Sequence, residues 1–267
     1  MHAMPTTTAV PRRFPRIHPL FVAATLAVTV AAAGVAGAAV WRQQSDVRQS
    51  EIARWQLMAT SANDAAALSR LQRAAAAGEV AACAALGETL LSRTDTESRA
   101  QAEHWLGLAA ASGHTRAQFL LGKAAMLGEL ASGRTDLPVA WRELGAAARV
   151  GDVGAAYYLG LLYRGGYGHT ADPAAAAHWF RVAADGGVAQ AMFLLANAYR
   201  EGDGVPRDDA TAVSWYEAAA EREHPASIQA LAMAYRSGEL GLSRDEGNYR
   251  QHLAEAAHAL KHPAINP

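Results

Sequence analysis

The sequence predicts an all-α fold, a solenoid of stacked antiparallel helix pairs preceded by one transmembrane helix. Two observations carry this prediction. One 36-residue unit occurs twice in succession over residues 152–224, and residues 19–41 form a run without ionisable side chains. A fixed period of this size is typical of helical repeats rather than of one globular core. The function of the chain is therefore a question about the surfaces of the stack.

The N-terminal residues are predicted to anchor the chain in a membrane. Residues 1–18 form a basic tail with three arginines and no acid, and the apolar run 19–41 follows directly. About 20 apolar residues suffice for a helix that crosses a bilayer, and the positive-inside rule keeps the basic tail in the cytoplasm. We expect a single-pass protein of the inner or plasma membrane whose repeats lie in the periplasm.

The same segment also fits a cleaved signal peptide. Residues 36–38, Ala-Gly-Ala, have the small side chains of a cleavage site. Cleavage there would remove residues 1–38 and yield a secreted form. Both interpretations place the repeats outside the cytoplasm.

The rest of the chain divides into a stalk and a repeat array. Residues 42–63 are predicted to form a helical stalk, and the solenoid is predicted over 64–263. A half-repeat at its front contains Leu71 and Ala75, which align with the second helix of the next unit. The predicted units are 64–78 (the half-repeat), 79–113, 114–151, 152–187, 188–224 and a capping repeat, 225–263.

Each full unit is predicted to begin with an amphipathic helix, which we name helix A. In unit 152–187, Ala155, Leu159 and Tyr163 recur at helical spacing and form one apolar stripe. Gly166 then supplies the left-handed backbone that ends a helix. Helix A is thus predicted to span about three turns.

A second helix, helix B, is predicted to complete each unit. Asp172 can accept hydrogen bonds from the first free amides of this helix, and Pro173 suits its first position. The aromatic pair Trp179 and Phe180 lies on its apolar stripe and is predicted to fill the wider gaps between helices. The aromatic residues predicted to form the repeated core are Tyr163, Trp179, Phe180, Tyr199, Trp215, Tyr216 and Tyr235.

Two units depart from this pattern. In unit 114–151, Ala125 replaces the helix A tyrosine, Glu143 takes the tryptophan position and Trp141 lies two residues early. Its inter-helix loop, residues 128–138, is longer and is expected to project. The final unit has a polar helix B with His252 at the tryptophan position, as expected for the end of a stack that faces water.

The repeated string A-x3-L-G/A-x2-Y-x2-G-x-G-x3-D-x3-A-x2-W-F/Y-x2-A-A resembles the Sel-one-like repeat (SLR), a longer relative of the tetratricopeptide repeat. The match is best over residues 191–220. The resemblance implies a right-handed superhelix of antiparallel helix pairs that binds other macromolecules on its concave side. It does not imply one particular activity.

Composition argues against several functional classes. The net charge is −1, and because three of the 24 basic residues lie in the N-terminal tail, the remainder holds four more acids than bases. Nucleic-acid binding needs a clearly basic face and is not predicted. The single Cys83 excludes an internal disulfide. His258 and His262 are one turn apart but lack a third ligand at defined spacing, so no metal or cofactor is predicted.

The candidate partner-binding residues are Arg164, Arg200 and Arg236, which recur at one helix A position beside the tyrosine. Stacking would arrange them as a ladder that pairs with carboxylates or phosphates of a partner. The alternative is that each arginine lies over its neighbouring repeat and bonds an acid such as Glu201 or Glu239.

We therefore expect a non-catalytic, membrane-anchored scaffold or adaptor that binds protein partners of an envelope assembly. The alternative is an envelope hydrolase of the β-lactam- or peptidoglycan-binding kind, an activity linked to cysteine-rich members of the SLR family. The paired cysteines of those members are missing here, and no motif places a nucleophile.

Overall fold

The computed structural model describes residues 43–260, and the regular structure in this range is helical throughout. The predicted tail 1–18, the predicted transmembrane helix 19–41 and the last residues of the capping repeat lie outside the described part. Within residues 43–260, no helix combines the length and the apolar character that a membrane span requires. The predicted stalk contains a helix over residues 43–61. The chain divides into two compact units, and all the repeats lie in the second, Ile52–Pro267.

The helices are short and follow one another closely. We number the helix over 43–61 as α1. The helices that follow are α2 (Ala65–Ala76), α3 (Val80–Leu91), α4 (Thr96–Ala111), α5 (Thr115–Leu127), α6 (Leu137–Arg149), α7 (Val153–Gly165), α8 (Pro173–Asp185), α9 (Ala189–Glu201), α10 (Asp209–Ala220), α11 (Pro225–Ser237) and α12 (Glu246–Ala259).

These helices pair as the sequence predicts. The most extensive contacts join α3 with α4, α5 with α6, α7 with α8, α9 with α10 and α11 with α12, and each pair also packs on the next. We name the five pairs repeats 1 to 5, in which odd-numbered helices are helix A and even-numbered helices are helix B. The prediction of an all-helical solenoid is confirmed, whereas its right-handed sense stays a prediction.

Helix boundaries follow from local chemistry. The backbone amide of Ala175 donates to the Asp172 side chain at 2.9 Å, so the predicted N-cap forms, and that of Thr211 donates to Asp208, which caps α10 in the same way, at 3.1 Å. Gly166 ends α7 with a φ of +64°, a left-handed conformation that costs other residues energy because their Cβ would crowd the backbone.

The core consists mainly of alanines and leucines. Repeats 3 and 4 each add a large aromatic ring. Phe180 and Tyr216 are 2% and 0% exposed. Small side chains let the paired helices approach closely: a Cβ added to Gly122 in α5 would lie 2.7 Å from Leu144 Cγ in α6. Packing at this density leaves little freedom for changes of volume.

Repeat 2 accommodates its unusual residues in its own way. Glu143, at the tryptophan position, is buried and accepts a hydrogen bond from Arg142 Nε at 2.8 Å. Trp141 Nε1 donates to the Tyr167 carbonyl of repeat 3 at 2.7 Å. Leu130 is 3% exposed and anchors the inter-helix loop on the core, whereas residues 132–135 of the same loop are exposed.

Candidate functional site

The candidate binding surface is the side of the stack on which the A helices meet. Helix α5 contacts both α3 and α7, whereas no pair of successive B helices reaches a comparable contact in the described residues. Among repeats 1 to 3 the A helices therefore approach one another more closely than the B helices do. We name this surface the A-helix face; its exposed and half-buried positions include Glu88, Lys123, Tyr157, Leu161, Phe193 and Asn197.

Four junctions between consecutive repeats divide this face, and we number them seams 1 to 4. Seam 1, between repeats 1 and 2, is an ionic contact. Arg116 Nη2 lies 2.6 Å from Glu88 Oε1, and Glu88 Oε2 accepts a hydrogen bond from Gln56 at 2.9 Å. The pair is partly solvated, so its contribution to stability is small, but it fixes the position of both charges.

Seam 2, between repeats 2 and 3, is aromatic and cationic. The rings of Phe119 and Tyr158 are 6.0 Å apart. The Lys123 ammonium lies 5.1 Å from the centre of the Tyr158 ring and 5.7 Å from that of Phe119, within the range of cation–π attraction. Gly154 makes room for this arrangement, because a Cβ at this position would lie 3.0 Å from the Phe119 ring.

Seam 3, between repeats 3 and 4, contains a pocket. Apolar side chains of α8 and α9 line part of it, and charges of both signs are contributed by α7, by α9 and by the loop that follows α9. Arg164 stacks over Phe180, with its guanidinium carbon 5.8 Å from the ring centre. The nearby Tyr157 hydroxyl has a raised pKa, because the side chain is partly buried and lies close to Tyr158.

Seam 4, between repeats 4 and 5, is closed by internal hydrogen bonds. The buried His224 ring bonds Gln190 Oε1 through Nε2 at 2.7 Å, and its Nδ1 accepts from the Ser227 amide at 3.2 Å. Burial lowers the pKa of this imidazole. The Tyr216 hydroxyl donates to Asn197 Oδ1 at 2.5 Å. Few polar groups remain available to a ligand at this seam.

The three arginines of the predicted ladder have different surroundings. Arg164 is exposed and stacks on Phe180, and Arg236 is exposed with its guanidinium carbon 5.4 Å from the centre of the Tyr249 ring. Arg200 is half-buried and forms an ion pair with Glu201 at 2.5 Å; the hydrogen bond that its guanidinium donates to Glu201 raises the pKa of Arg200. The three arginines therefore do not repeat one set of contacts, and their role as a binding ladder stays a prediction.

The predicted aromatic core divides into two groups. Phe180 and Tyr216 are buried, whereas the remaining members are half-buried, and all of these except Tyr235 pack against the core. Tyr163 meets Trp141 of the preceding repeat at 4.7 Å between ring centres, and the Tyr199 hydroxyl accepts a hydrogen bond from Arg181. Half-buried members are Tyr163, Trp179, Tyr199, Trp215 and Tyr235.

The other titratable residues noted in the sequence do not form a site. Cys83 is 4% exposed, and burial raises the pKa of its thiol. Residues 43–260 contain no group of three histidine, cysteine or carboxylate side chains placed to hold a metal ion. His258 lies in the described part of the chain and His262 lies outside it.

Sequence reasoning missed the residues that distinguish the seams, among them Lys123, Tyr158, Gln190 and Asp203. The available signal was the failure of helix A surface positions to repeat. The position of Glu88 in repeat 1 is occupied by lysine, leucine and asparagine in the next three repeats, although neighbouring core positions keep their character.

Comparison with known proteins identifies the repeat. The model of the Sel1 repeat matches residues 80–114, 153–188 and 189–224. A protective antigen of uropathogenic Escherichia coli strains, which displays an SLR fold, superposes with a TM-score of 0.66 at 33% identity over 72% of this chain. A Sel1 repeat protein from Oxalobacter formigenes gives 0.60 at 26% identity over 71% of this chain.

These matches differ in how much of each relative they cover. The aligned region spans 41% of the Escherichia coli antigen and 75% of the Oxalobacter formigenes protein. No curated protein matched the chain.

Proposed function

Since three of its helix pairs match the Sel1 repeat and a similar structure displays an SLR fold, we propose that this chain is a non-catalytic scaffold that binds a protein partner along its A-helix face. Sel1 repeat proteins are generally protein-interaction modules. The observation that carries the proposal is the change of chemistry from seam to seam. An ionic pair, a cation–π cluster, a charged pocket and a closed seam follow one another along one surface, which suits recognition of a single extended partner.

Within this surface, Arg164 and Arg236 are the proposed contacts with the partner. Both guanidinium groups are exposed and contact a ring rather than an acid in the described residues. Their hydrogen-bond donors can therefore form paired bonds with a carboxylate or phosphate. Arg200 belongs to the same ladder, but a partner would have to compete with Glu201 for it.

We further propose that the scaffold works in the cell envelope, anchored in the inner membrane through residues 19–41. The length of the apolar run and the basic tail before it support this placement. A release by cleavage after residue 38 would give the same domain in secreted form. Alkaline phosphatase fused after residue 60 should be active, and the mass of the mature protein separates an anchor from a cleaved signal. An inactive fusion would contradict the placement.

Site-specific photo-crosslinking tests the binding surface. Benzoylphenylalanine placed at Leu161 or Met233 samples the same register position on the A-helix face in repeats 3 and 5, whereas Leu108 is 46% exposed on helix B of repeat 1. We expect crosslinks to one defined partner from the first two positions and not from Leu108. Equal crosslinking from all three positions would contradict the proposal.

The arginine ladder can be tested within the same experiment. Changing Arg164, Arg200 and Arg236 together to alanine should reduce the yield of the crosslink from Leu161, because three possible charge contacts are removed. A variant with three arginines changed elsewhere, the exposed Arg70 and Arg149 and the half-buried Arg99, serves as the control for net charge. An unchanged yield in the ladder variant would remove these arginines from the interface.

A further inference from the structure

The pocket at seam 3 is a built feature of the fold. Its walls are two turns of α8 and the last two turns of α9, and the loop after α9 closes one end. A Cβ added to Gly204 would lie 2.1 Å from the Pro173 carbonyl oxygen, so this loop touches the backbone of α8. The residues that matter below are Arg164, Phe180, Leu194, Ala198, Glu201 and Asp203.

The pocket is small, and apolar side chains of α8 and α9 line one part of it beside its polar and charged groups. Phe180 and Leu194 form buried parts of its wall, and alanines at three lining positions leave the space open. The cavity measures about 130 Å³. An apolar cavity of about 150 Å³ admits benzene, so this one can hold a branched aliphatic side chain while the rest of the ligand stays at the rim.

The rim presents opposite charges that are not paired with each other. Arg164 forms no ion pair among the described residues, and no contact of the Asp203 carboxylate occurs there either. Glu201 shares its charge with Arg200 at 2.5 Å. A ligand therefore meets one available cation and one available anion at the mouth of an apolar space.

Comparison with the equivalent residues of seam 4 shows that the unpaired charges are particular to seam 3. Counted by the repeat period, Tyr216 corresponds to Phe180, and its hydroxyl is bonded to Asn197. Arg200 corresponds to Arg164 and has Glu201 beside it, whereas Gly165 follows Arg164. Of these two differences between the seams, the glycine in place of Glu201 leaves the cation of seam 3 without a neighbouring acid.

We propose that the seam 3 pocket binds a free α-amino acid with an apolar side chain. The ligand carboxylate pairs with the Arg164 guanidinium, the ammonium pairs with the Asp203 carboxylate on the side of Glu201, and the side chain enters the space between Phe180 and Leu194. A zwitterion matches both signs of charge at the rim, whereas a ligand with one charge leaves one of them unpaired.

Equilibrium dialysis of the full-length protein with tritiated L-leucine tests this inference. We expect saturable binding, and competition by unlabelled N-acetyl-leucine or leucinamide should be at least about tenfold weaker than by unlabelled leucine, because each analogue lacks one charge. Equal competition by all three, or no saturable binding at millimolar concentration, would overturn the proposal.

Two single substitutions test which charged group of the ligand pairs with which side chain of the pocket. Arg164→Gln should weaken leucine binding about tenfold while leaving leucinamide, which has no carboxylate, unchanged. Asp203→Asn should weaken leucine but not N-acetyl-leucine. Arg149→Gln removes an exposed positive charge outside the pocket and should have no effect. If either charge variant weakened all ligands alike, the proposed orientation would be wrong.

Filling the pocket provides an independent test. Ala198 lines it and is half-buried, so Ala198→Leu should abolish leucine binding while the circular dichroism spectrum stays that of a helical protein. Retained binding would refute the location. This inference goes beyond the scaffold role, and its assay uses purified protein without a partner, so failure here leaves the crosslinking result untouched.

Discussion

The contact between Gly122 in α5 and helix α6 gives the sharpest test of how the repeats pack. A Cβ at Gly122 would lie 2.7 Å from Leu144 Cγ and 2.9 Å from the Leu144 backbone nitrogen. The side chain could turn away, but the backbone atom cannot move without shifting α6. Gly122→Ala must therefore separate the two helices of repeat 2.

The change in the free energy of unfolding caused by Gly122→Ala is the balance of two opposing effects. Alanine favours the helix over glycine by up to about 1 kcal/mol, whereas overpacking a close contact costs about 1–3 kcal/mol. We expect a net destabilisation of about 1–2 kcal/mol. Gly107 in α4 is the matched control, because a Cβ there meets no atom within 4 Å. Gly107→Ala should thus stabilise the protein by about 0.5–1 kcal/mol.

Urea unfolding followed by helical circular dichroism measures both variants. The comparison uses midpoints together with slopes, since a repeat array can unfold in parts. Repeat 4 has alanine at this position, Ala196, opposite Tyr216, so the fold admits alanine where the facing residue differs. If Gly122→Ala proved as stable as Gly107→Ala, the close helix contact would not limit packing in repeat 2.

Three further predictions concern single contacts, each measured by urea unfolding. Trp141→Phe removes the donor to the Tyr167 carbonyl and should lower the free energy of unfolding by about 0.5–1.5 kcal/mol. An unchanged free energy of unfolding would mean that this hydrogen bond does not stabilise the protein. Asp152→Ala removes the N-cap of α7 and should cost about 1 kcal/mol, whereas Asp152→Asn should retain most of the stability. Because burial lowers the pKa of His224, the unfolded chain binds a proton more readily below about pH 6.5, so stability should fall as the pH decreases. His224→Asn keeps a capping side chain, and the stability of this variant should no longer show this part of the pH dependence. An unchanged pH profile would contradict the assignment to His224.

The repeated elements could be predicted because their causes are local. The caps at Asp172 and Asp208 depend on residues three positions away, and the turn at Gly166 depends on the backbone of that residue alone. Amphipathic spacing then fixed which faces of the helices pack. These signals are written within a few residues of where they act, and the 36-residue period repeats them.

The seams could not be predicted in the same way. Lys123 meets Tyr158 of the next repeat, and this contact depends on the rotation of one helix pair against the next rather than on local sequence. Arg200 is an intermediate case. Its partner Glu201 is its neighbour in the chain, so the sequence already suggests this contact as an alternative. Arg164 lacks such a neighbour, and only the fold reveals that it borders a pocket with Asp203.

The difference between core and seams also limits the kind of partner that fits. Core positions must repeat, because each helix pair packs on another of similar shape. Seam positions on the A-helix face carry no such constraint, and here they change from an ionic pair at Glu88 to a cation–π contact at Lys123 and a charged pocket at Arg164. A regularly repeating polymer would present one group to all of them and could satisfy only one seam at a time. A partner with a defined, non-repeating sequence can match each seam in turn, which favours a folded or extended protein over a repetitive glycan.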